Sequence, residues 1–262
     1  MDTFLKHDVI IVDKKDTISR QFKIINEEPL SIWVNKKLYK VIMRTPGDEL
    51  AHAAGFCLYK ELVNIPDDLI SLSFKDDKHG NAVSIFLNKS RTEKISYLFE
   101  RHNITQDIYD VSENNIMTDK TSVDIEPAID CLEKLSDKQP LRFNTHAAHA
   151  AVLYNSNFEL LSLAEDVGRH NAVDKAVGKL FLNNTLNSAY AMVLSSRISY
   201  ELVQKAAKAK IPVILAVSRP TSLAIKLATK LNMTLACLAK SSGLYIFCGE
   251  HRFKIQKGFI SK

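Results

Sequence analysis

The second half of this chain alternates apolar, strand-like runs with helical stripes, and that alternation restricts the fold more than any other feature. Phe158 to Leu163 has the length and composition of a strand, and Val173, Ala176, Val177, Leu180 and Phe181 then recur along one helical face. Ala191 to Leu194 is the next strand, and Leu202, Val203, Ala206 and Ala207 mark the helix after it. Pro212 to Val217 is a continuous apolar run, followed by a third stripe at Leu223, Leu227, Ala228 and Leu231. Met233 to Leu238 and Leu244 to Phe247 close the series as strands. Nearly continuous apolar strands separated by amphipathic helices predict a largely parallel sheet with helices on both faces.

The first third reads as a smaller mixed unit. Leu30, Ile32 and Val34 alternate with polar neighbours as a half-buried strand does, and Leu38 to Met43 supplies a hairpin partner. Thr45-Pro46-Gly47-Asp48 predicts a helix start, with Thr45 as the cap and Pro46 in the first turn. Leu50, Ala53, Ala54, Cys57, Leu58 and Leu62 follow at helical spacing, and Ala82 to Leu87 is a further strand. Lys89 to Glu126 is rich in charged and amide side chains with weak periodicity apart from a helical stretch at Ile95 to Phe99; it reads as a boundary. A short helix at Ile129 to Leu135 leads into the second part. The expected division is therefore a small mixed α/β domain over 1–120 and an α/β domain over 121–262.

Composition excludes several classes. At 262 residues, with 46% hydrophobic and 25% charged side chains, the chain has an ordinary globular balance. No apolar run approaches the roughly 18 residues that span a bilayer, and no secretory signal is legible. The net charge of +5 gives a mild preference for anions, with no basic block dense enough to argue for nucleic acid. Cys57, Cys131, Cys237 and Cys248 form no C-x-x-C pair and no zinc spacing. A reducing, cytoplasmic setting is expected.

In a parallel sheet, ligands bind beyond the carboxyl ends of the strands. Three loops there carry unusual content: Asp166 to Asn171, Ser195 to Ser199, and Ser218 to Ser222. Each holds an arginine (Arg169, Arg197 or Arg219), and the latter two add hydroxyls just before a helix. Exposed N–H groups, the positive helix end and a guanidinium make a phosphate site, whereas capping serines beside solvated arginines are the plainer alternative for any one loop. Three together favour a ligand with more than one phosphate. Asp174 lies four residues after His170, so His170 is either a carboxylate-oriented base or part of a structural pair.

His146 and His149 have the i, i+3 spacing of helical metal ligands but lack a third, so core or helix-entry roles are expected. Ala151 stands where a zinc-dependent nucleobase deaminase needs its glutamate, and no P-C-x-x-C exists. The cysteines read as buried core thiols. The turn Leu238 to Gly243, with Lys240, is either a phosphate cradle or an ordinary hairpin turn.

Taken together, these residues resemble the FdhD family of formate dehydrogenase accessory proteins from about Glu27 to Phe253. The resemblance rests on Glu28-Pro29-Leu30 with Val34-Asn35, and on Met43-Arg44-Thr45-Pro46-Gly47-Asp48-Glu49-Leu50-Ala51 with Gly55-Phe56. It rests further on Asp166-Val167-Gly168-Arg169-His170-Asn171-Ala172-Val173-Asp174-Lys175, on Ser196 to Glu201, and on Val217 to Ser222. The resemblance implies a cytidine-deaminase-like α/β C-terminal domain without zinc, a smaller mixed α/β N-terminal domain, and a homodimer. It implies sulfur transfer from a cysteine desulfurase to the molybdenum bis(molybdopterin guanine dinucleotide) cofactor of a formate dehydrogenase apoprotein, with no nucleic acid and no membrane involved. Cofactor contacts carried over on that basis are Asp166, Arg169, His170, Asn171, Ser196, Arg197, Ser218, Arg219, Thr221 and Ser222. Leu238, Ala239, Lys240, Ser241, Ser242 and Gly243 join them, since the matching turn contacts the cofactor in relatives.

Two departures bear on chemistry. The family carries a C-G-x-C-G segment, one cysteine of which holds a persulfide, and the matching stretch within Arg101 to Thr121 has no cysteine. Serine or asparagine cannot replace a sulfur nucleophile. Thr145-His146-Ala147-Ala148-His149 also replaces the family's T-G-G-x-H, losing both glycines. Three readings follow: a sulfurtransferase using another thiol, a cofactor-binding chaperone without transfer chemistry, or a binder of some other phosphate-bearing metabolite.

Overall fold

A computed structural model describes residues 2–77, 80–93, 116–240 and 243–255. The described residues fall into two compact units that do not follow a linear division at residue 120. The first takes its residues from Met1–Asn103, Asp137–Ala150 and Ala164–Asn184; the second from Ile104–Ser136, Ala151–Leu163 and Thr185–Lys262. The expected helix at Ile95 to Phe99 lies outside the described residues, as does most of Arg101 to Thr121. No described helix is long and apolar enough to cross a membrane.

The first unit opens with a ribbon the sequence did not announce, β1 (Phe4–Val12) paired antiparallel with β2 (Thr17–Ile25) over nine positions. Lys23 Nζ on β2 donates to Asn144 Oδ1 at 2.5 Å. A four-stranded sheet follows in the order β4-β3-β6-β5, built from β3 (Glu28–Val34), β4 (Lys37–Arg44), β5 (Leu69–Asp77) and β6 (Gly80–Leu87). β3 and β4 form the expected hairpin, closed by Asn35 and Lys36 with φ of 48° and 68°. Those positive values give the two-residue turn the twist that antiparallel strands need. Leu30, Ile32, Val34, Val83 and Ile85 are fully buried, so the period-2 reading holds.

Helix α1 (Glu49–Tyr59) begins later than the sequence suggested. Asp48 is its N-cap residue, in left-handed backbone with φ 58°, and Thr45 is used elsewhere. The helix is buried from Ala51 to Leu58, more than the single stripe implied, while Leu50 stays exposed. The reason is a second helix, α4 (Arg169–Leu182), lying against it at close range. A Cβ on Gly55 would sit 2.0 Å from the Asp174 carbonyl oxygen, and one on Gly178 would sit 1.8 Å from that of Ala51. Only residues without a side chain fit there.

Further on, α2 (Ile125–Glu133) overlaps the short helix expected at Ile129 to Leu135 but begins four residues earlier, and α3 (Pro140–Thr145) follows it. His146, in left-handed backbone, caps α3, and His149 opens strand β7 (His149–Tyr154). The two histidines therefore do not share a helical face, which corrects the i, i+3 reading. β8 (Leu160–Asp166) starts two residues later than predicted, after a turn in which Phe158 has φ 58°.

The second half builds a six-stranded sheet in the order β12-β11-β10-β9-β7-β8, with β9 (Ala191–Leu194), β10 (Val213–Ala216), β11 (Thr234–Ala239) and β12 (Gly243–Cys248). β9, β10 and β11 are parallel, as predicted. β12 runs antiparallel to β11 and β7 antiparallel to β9, so the sheet is mixed rather than largely parallel. β12 runs antiparallel to β11 because only three residues join them, which leaves no chain for a crossover. Within the second unit, α2 inserts Ala128, Cys131 and Leu132 against Val193, Val213, Leu215 and Ala236. Alternate residues such as Met192, Ile214 and Leu235 are also fully buried and face the other way. Helices α5 (Tyr200–Lys208) and α6 (Ser222–Lys230) pack on each other, and α6 lies along β11 and β12.

Candidate functional site

In the first unit the two segments richest in sequence signal are tied together by a buried polar network. Asp166 is wholly buried, and its carboxylate accepts from Thr45 N (3.1 Å), Gly168 N (2.9 Å) and Asn171 Nδ2 (2.9 Å). Lys175 Nζ, also buried, ion-pairs with Asp166 Oδ2 at 2.7 Å and donates to the Thr45 carbonyl at 2.7 Å. Asn171 Nδ2 donates to Met43 O, and Val167 N donates to Thr45 Oγ1. Beside them, Arg44 is fully buried and ion-pairs with Glu49 at 3.2 Å and Glu28 at 3.7 Å. A buried charge is tolerated when paired and hydrogen-bonded, and the Asp166–Lys175 pair meets both conditions.

The geometry redistributes the predicted residues of this segment. Asp166 and Asn171 are spent within the network, and Thr45 clamps it instead of capping a helix. Asp174 is 3% exposed and sits where α4 meets Gly55. Arg169 and His170, half-buried, open α4. The sequence offered no sign of the clamp, since its partners lie more than 120 residues apart.

In the second unit the parallel order fixes where the other loops open. The carboxyl ends of β9, β10 and β11 lie on one edge, so Ser195–Ser199, Val217–Thr221 and the β11–β12 turn share it. Thr221 N donates to Ile198 O at 3.0 Å, joining the first two loops directly. Thr221 Oγ1 caps α6 by accepting from Ala224 N. At α5, Ser199 makes no side-chain cap, and its buried hydroxyl has no hydrogen-bond partner among the described residues. Arg197, Arg219 and Lys240 are exposed on this edge, and the Arg219 guanidinium lies 5.4 Å over the Tyr245 ring. Ser196 is buried and turns its hydroxyl to the Arg197 carbonyl, away from solvent. Ser218, Ser222, Leu238, Ala239 and Gly243 complete the edge, whereas Ser241 and Ser242 lie outside the described residues. Tyr245 is the addition that loop-by-loop reading missed, because it sits inside a strand.

The thiols are poorly placed for nucleophilic chemistry. Burial, and then the Asp174 carboxylate, push Cys57 far above the ordinary thiol range. Burial raises Cys237 against the opposing pull of Arg219, and burial likewise raises Cys248. A thiol held protonated is a weak nucleophile.

The sequence model of the FdhD/NarQ family matches residues 25–254. The chain belongs to the FdhD/NarQ family. Among its relatives, the sulfur carrier protein FdhD of Sulfurisphaera tokodaii is 33% identical over 237 residues, covering 87% of this chain and 91% of that protein. The sulfur carrier protein FdhD of Saccharolobus solfataricus is 32% identical over 255 residues, covering 94% and 97%. A crystal structure of a putative formate dehydrogenase accessory protein from Desulfotalea psychrophila superposes with a TM-score of 0.80 at 21% identity, over 96% of this chain and all of that one. That likeness establishes a shared fold. No cysteine occurs between Cys57 and Cys131.

Proposed function

We propose that this protein serves formate dehydrogenase maturation in the cytoplasm as a binding chaperone for the molybdenum bis(molybdopterin guanine dinucleotide) cofactor, without relaying sulfur on a thiol of its own. One observation carries the reading. The rim after β9, β10 and β11 gathers Arg197, Arg219, Lys240 and the starts of two helices, while the thiols described above are held protonated. The donor set suits the cofactor's nucleotide end: guanidinium groups and helix N–H groups pair with phosphoryl oxygens, and the free Ser199 hydroxyl adds one donor. Tyr245 beneath Arg219 offers an aromatic face beside the cations. The cofactor itself supplies the redox chemistry of the client enzyme; this chain's residues bind and orient its phosphates.

A second reading has one finding in its favour. Curated relatives are named sulfur carriers, which implies transfer from a cysteine desulfurase and, by resemblance, a homodimeric carrier. Incubation with a cysteine desulfurase and cysteine separates the two. The expected result is no persulfide on Cys57, Cys237 or Cys248 by mass spectrometry, and loading on any of them restores the relay.

The rim is tested by calorimetry with guanosine diphosphate. Arg197→Ala, at an exposed position, is expected to weaken binding about tenfold while leaving the circular dichroism spectrum unchanged. Unchanged affinity in the folded variant removes the site from the rim.

A further inference from the structure

A group of basic side chains in the first unit is left over by the clamp and by the rim. Arg142 lies on α3, His149 begins β7 and Arg169 begins α4. Arg142 is held beside the histidine by donating Nη1 to the carbonyl of Ala148 at 3.3 Å. The charges of Arg169 and Arg142 both act on the half-buried His149 ring. His149 Nδ1 and Arg169 Nε are buried atoms with no hydrogen-bond partner among the described residues. Among the described residues neither arginine forms an ion pair, although the charge of Arg142 also acts on Glu165. The nearby carboxylate, Glu165 on β8, accepts from Leu141 N at 2.8 Å and Arg142 N at 2.9 Å, so it closes the start of α3.

Such an arrangement is costly by itself. Two guanidinium groups repel one another, and a buried polar atom without a partner is costly. A doubly charged tetrahedral oxyanion relieves both defects by accepting from all three side chains, and α4 starts beside it without a side-chain cap. The geometry points to a second anion subsite, formed by Arg142, His149 and Arg169, that takes a phosphoryl-type dianion together with a proton on His149. It rests on residues of the first unit alone and does not depend on the second unit's rim.

The proton follows from the charges that face the ring. Burial, then Arg169, then Arg142, hold His149 below its usual 6.5, so the imidazole is neutral at pH 7 without the anion. A bound dianion reverses the sign of its surroundings and raises that value, so affinity climbs as pH falls through the window between the two. Glu165, raised by burial, titrates in the same neighbourhood and must be separated from His149.

Sulfate is the suitable probe, being a tetrahedral dianion that does not titrate near neutral pH. Calorimetry on the full chain is expected to show sulfate binding that strengthens from pH 8 to pH 6. The gain disappears in His149→Gln and persists in Glu165→Gln. Arg142→Ala, at an exposed position, is expected to weaken sulfate about tenfold, and Arg169→Lys guards against a folding defect at the helix start. Sulfate also meets the rim, so the gain on acidification is read in an Arg197→Ala background as well, where it is expected to persist. The proton resonance of the His149 ring is expected to titrate at higher pH in saturating sulfate. Competition by guanosine diphosphate identifies a nucleotide as the source of the anion; competition by inorganic phosphate alone identifies the free ion. A His149 titration unmoved by sulfate, or equal sulfate affinity in Arg142→Ala and the parent, overturns the assignment.

Discussion

Asp166→Ala is expected to cost about 3–5 kcal/mol of folding stability, because it strands the buried Lys175 ammonium without its counter-charge. The same change removes the acceptor for Thr45 N, Gly168 N and Asn171 Nδ2, so the loop before α4 loses its ties to the segment after β4. Urea unfolding of the full chain, followed by circular dichroism, measures the loss. The double variant Asp166→Asn with Lys175→Met is expected to recover a large part of it, since no uncompensated charge then remains. A single-variant loss under about 1 kcal/mol, as a solvent-exposed pair gives, contradicts the clamp.

Gly178→Ala carries the second large effect. In an exposed helix this substitution stabilises by about 1 kcal/mol through helix propensity. Here the new methyl carbon lands 1.8 Å from the Ala51 carbonyl oxygen and 2.9 Å from Gly55 N, both backbone atoms. Neither can yield by a side-chain rotation, so α1 and α4 must separate and give up the packing between them. The expected outcome is destabilisation of about 3 kcal/mol or more, seen as a melting temperature lower by roughly 6–12 °C. Gly55→Ala, which meets the Asp174 carbonyl at 2.0 Å, is expected to behave alike. The sign is diagnostic: a rise in melting temperature for either variant means that the helices do not approach as described.

The legible parts of the fold are those whose burial is one-sided or complete and whose partners are close in sequence. β3 with β4, and the succession β9, α5, β10, α6, could be read because alternation and stripes report directly on which face meets a core. β7 escaped notice because His149-Ala150-Ala151-Val152-Leu153-Tyr154 is alanine-rich and almost wholly buried, so it lacks both the period and the β-branched content of a strand. The β1–β2 ribbon escaped for the opposite reason. Leu5, Ile10 and Val12 are more than half exposed, so no inward face stands out. At the candidate site, arginine and hydroxyl content before helices marked the second unit's loops correctly as neighbours. Sequence did not distinguish Asp166 and Asn171, which build the scaffold, from residues that face outward, because that distinction depends on contacts with Met43 and Thr45 far upstream. Tyr245 was passed over because it lies within a strand, and Arg142 because no motif set it beside His149.

The discontinuity of the first unit has a consequence for how the protein is made. Helix α1 ends at Tyr59, yet the helix that shields it is finished only at Leu182, about 120 residues later. At a translation rate of 5–20 residues per second, the apolar side of α1 waits roughly 6–25 s on the ribosome before its neighbour exists. A fragment cut at residue 120 leaves that surface permanently uncovered and is expected to aggregate, so the nascent chain is a natural client for holdase chaperones throughout this interval.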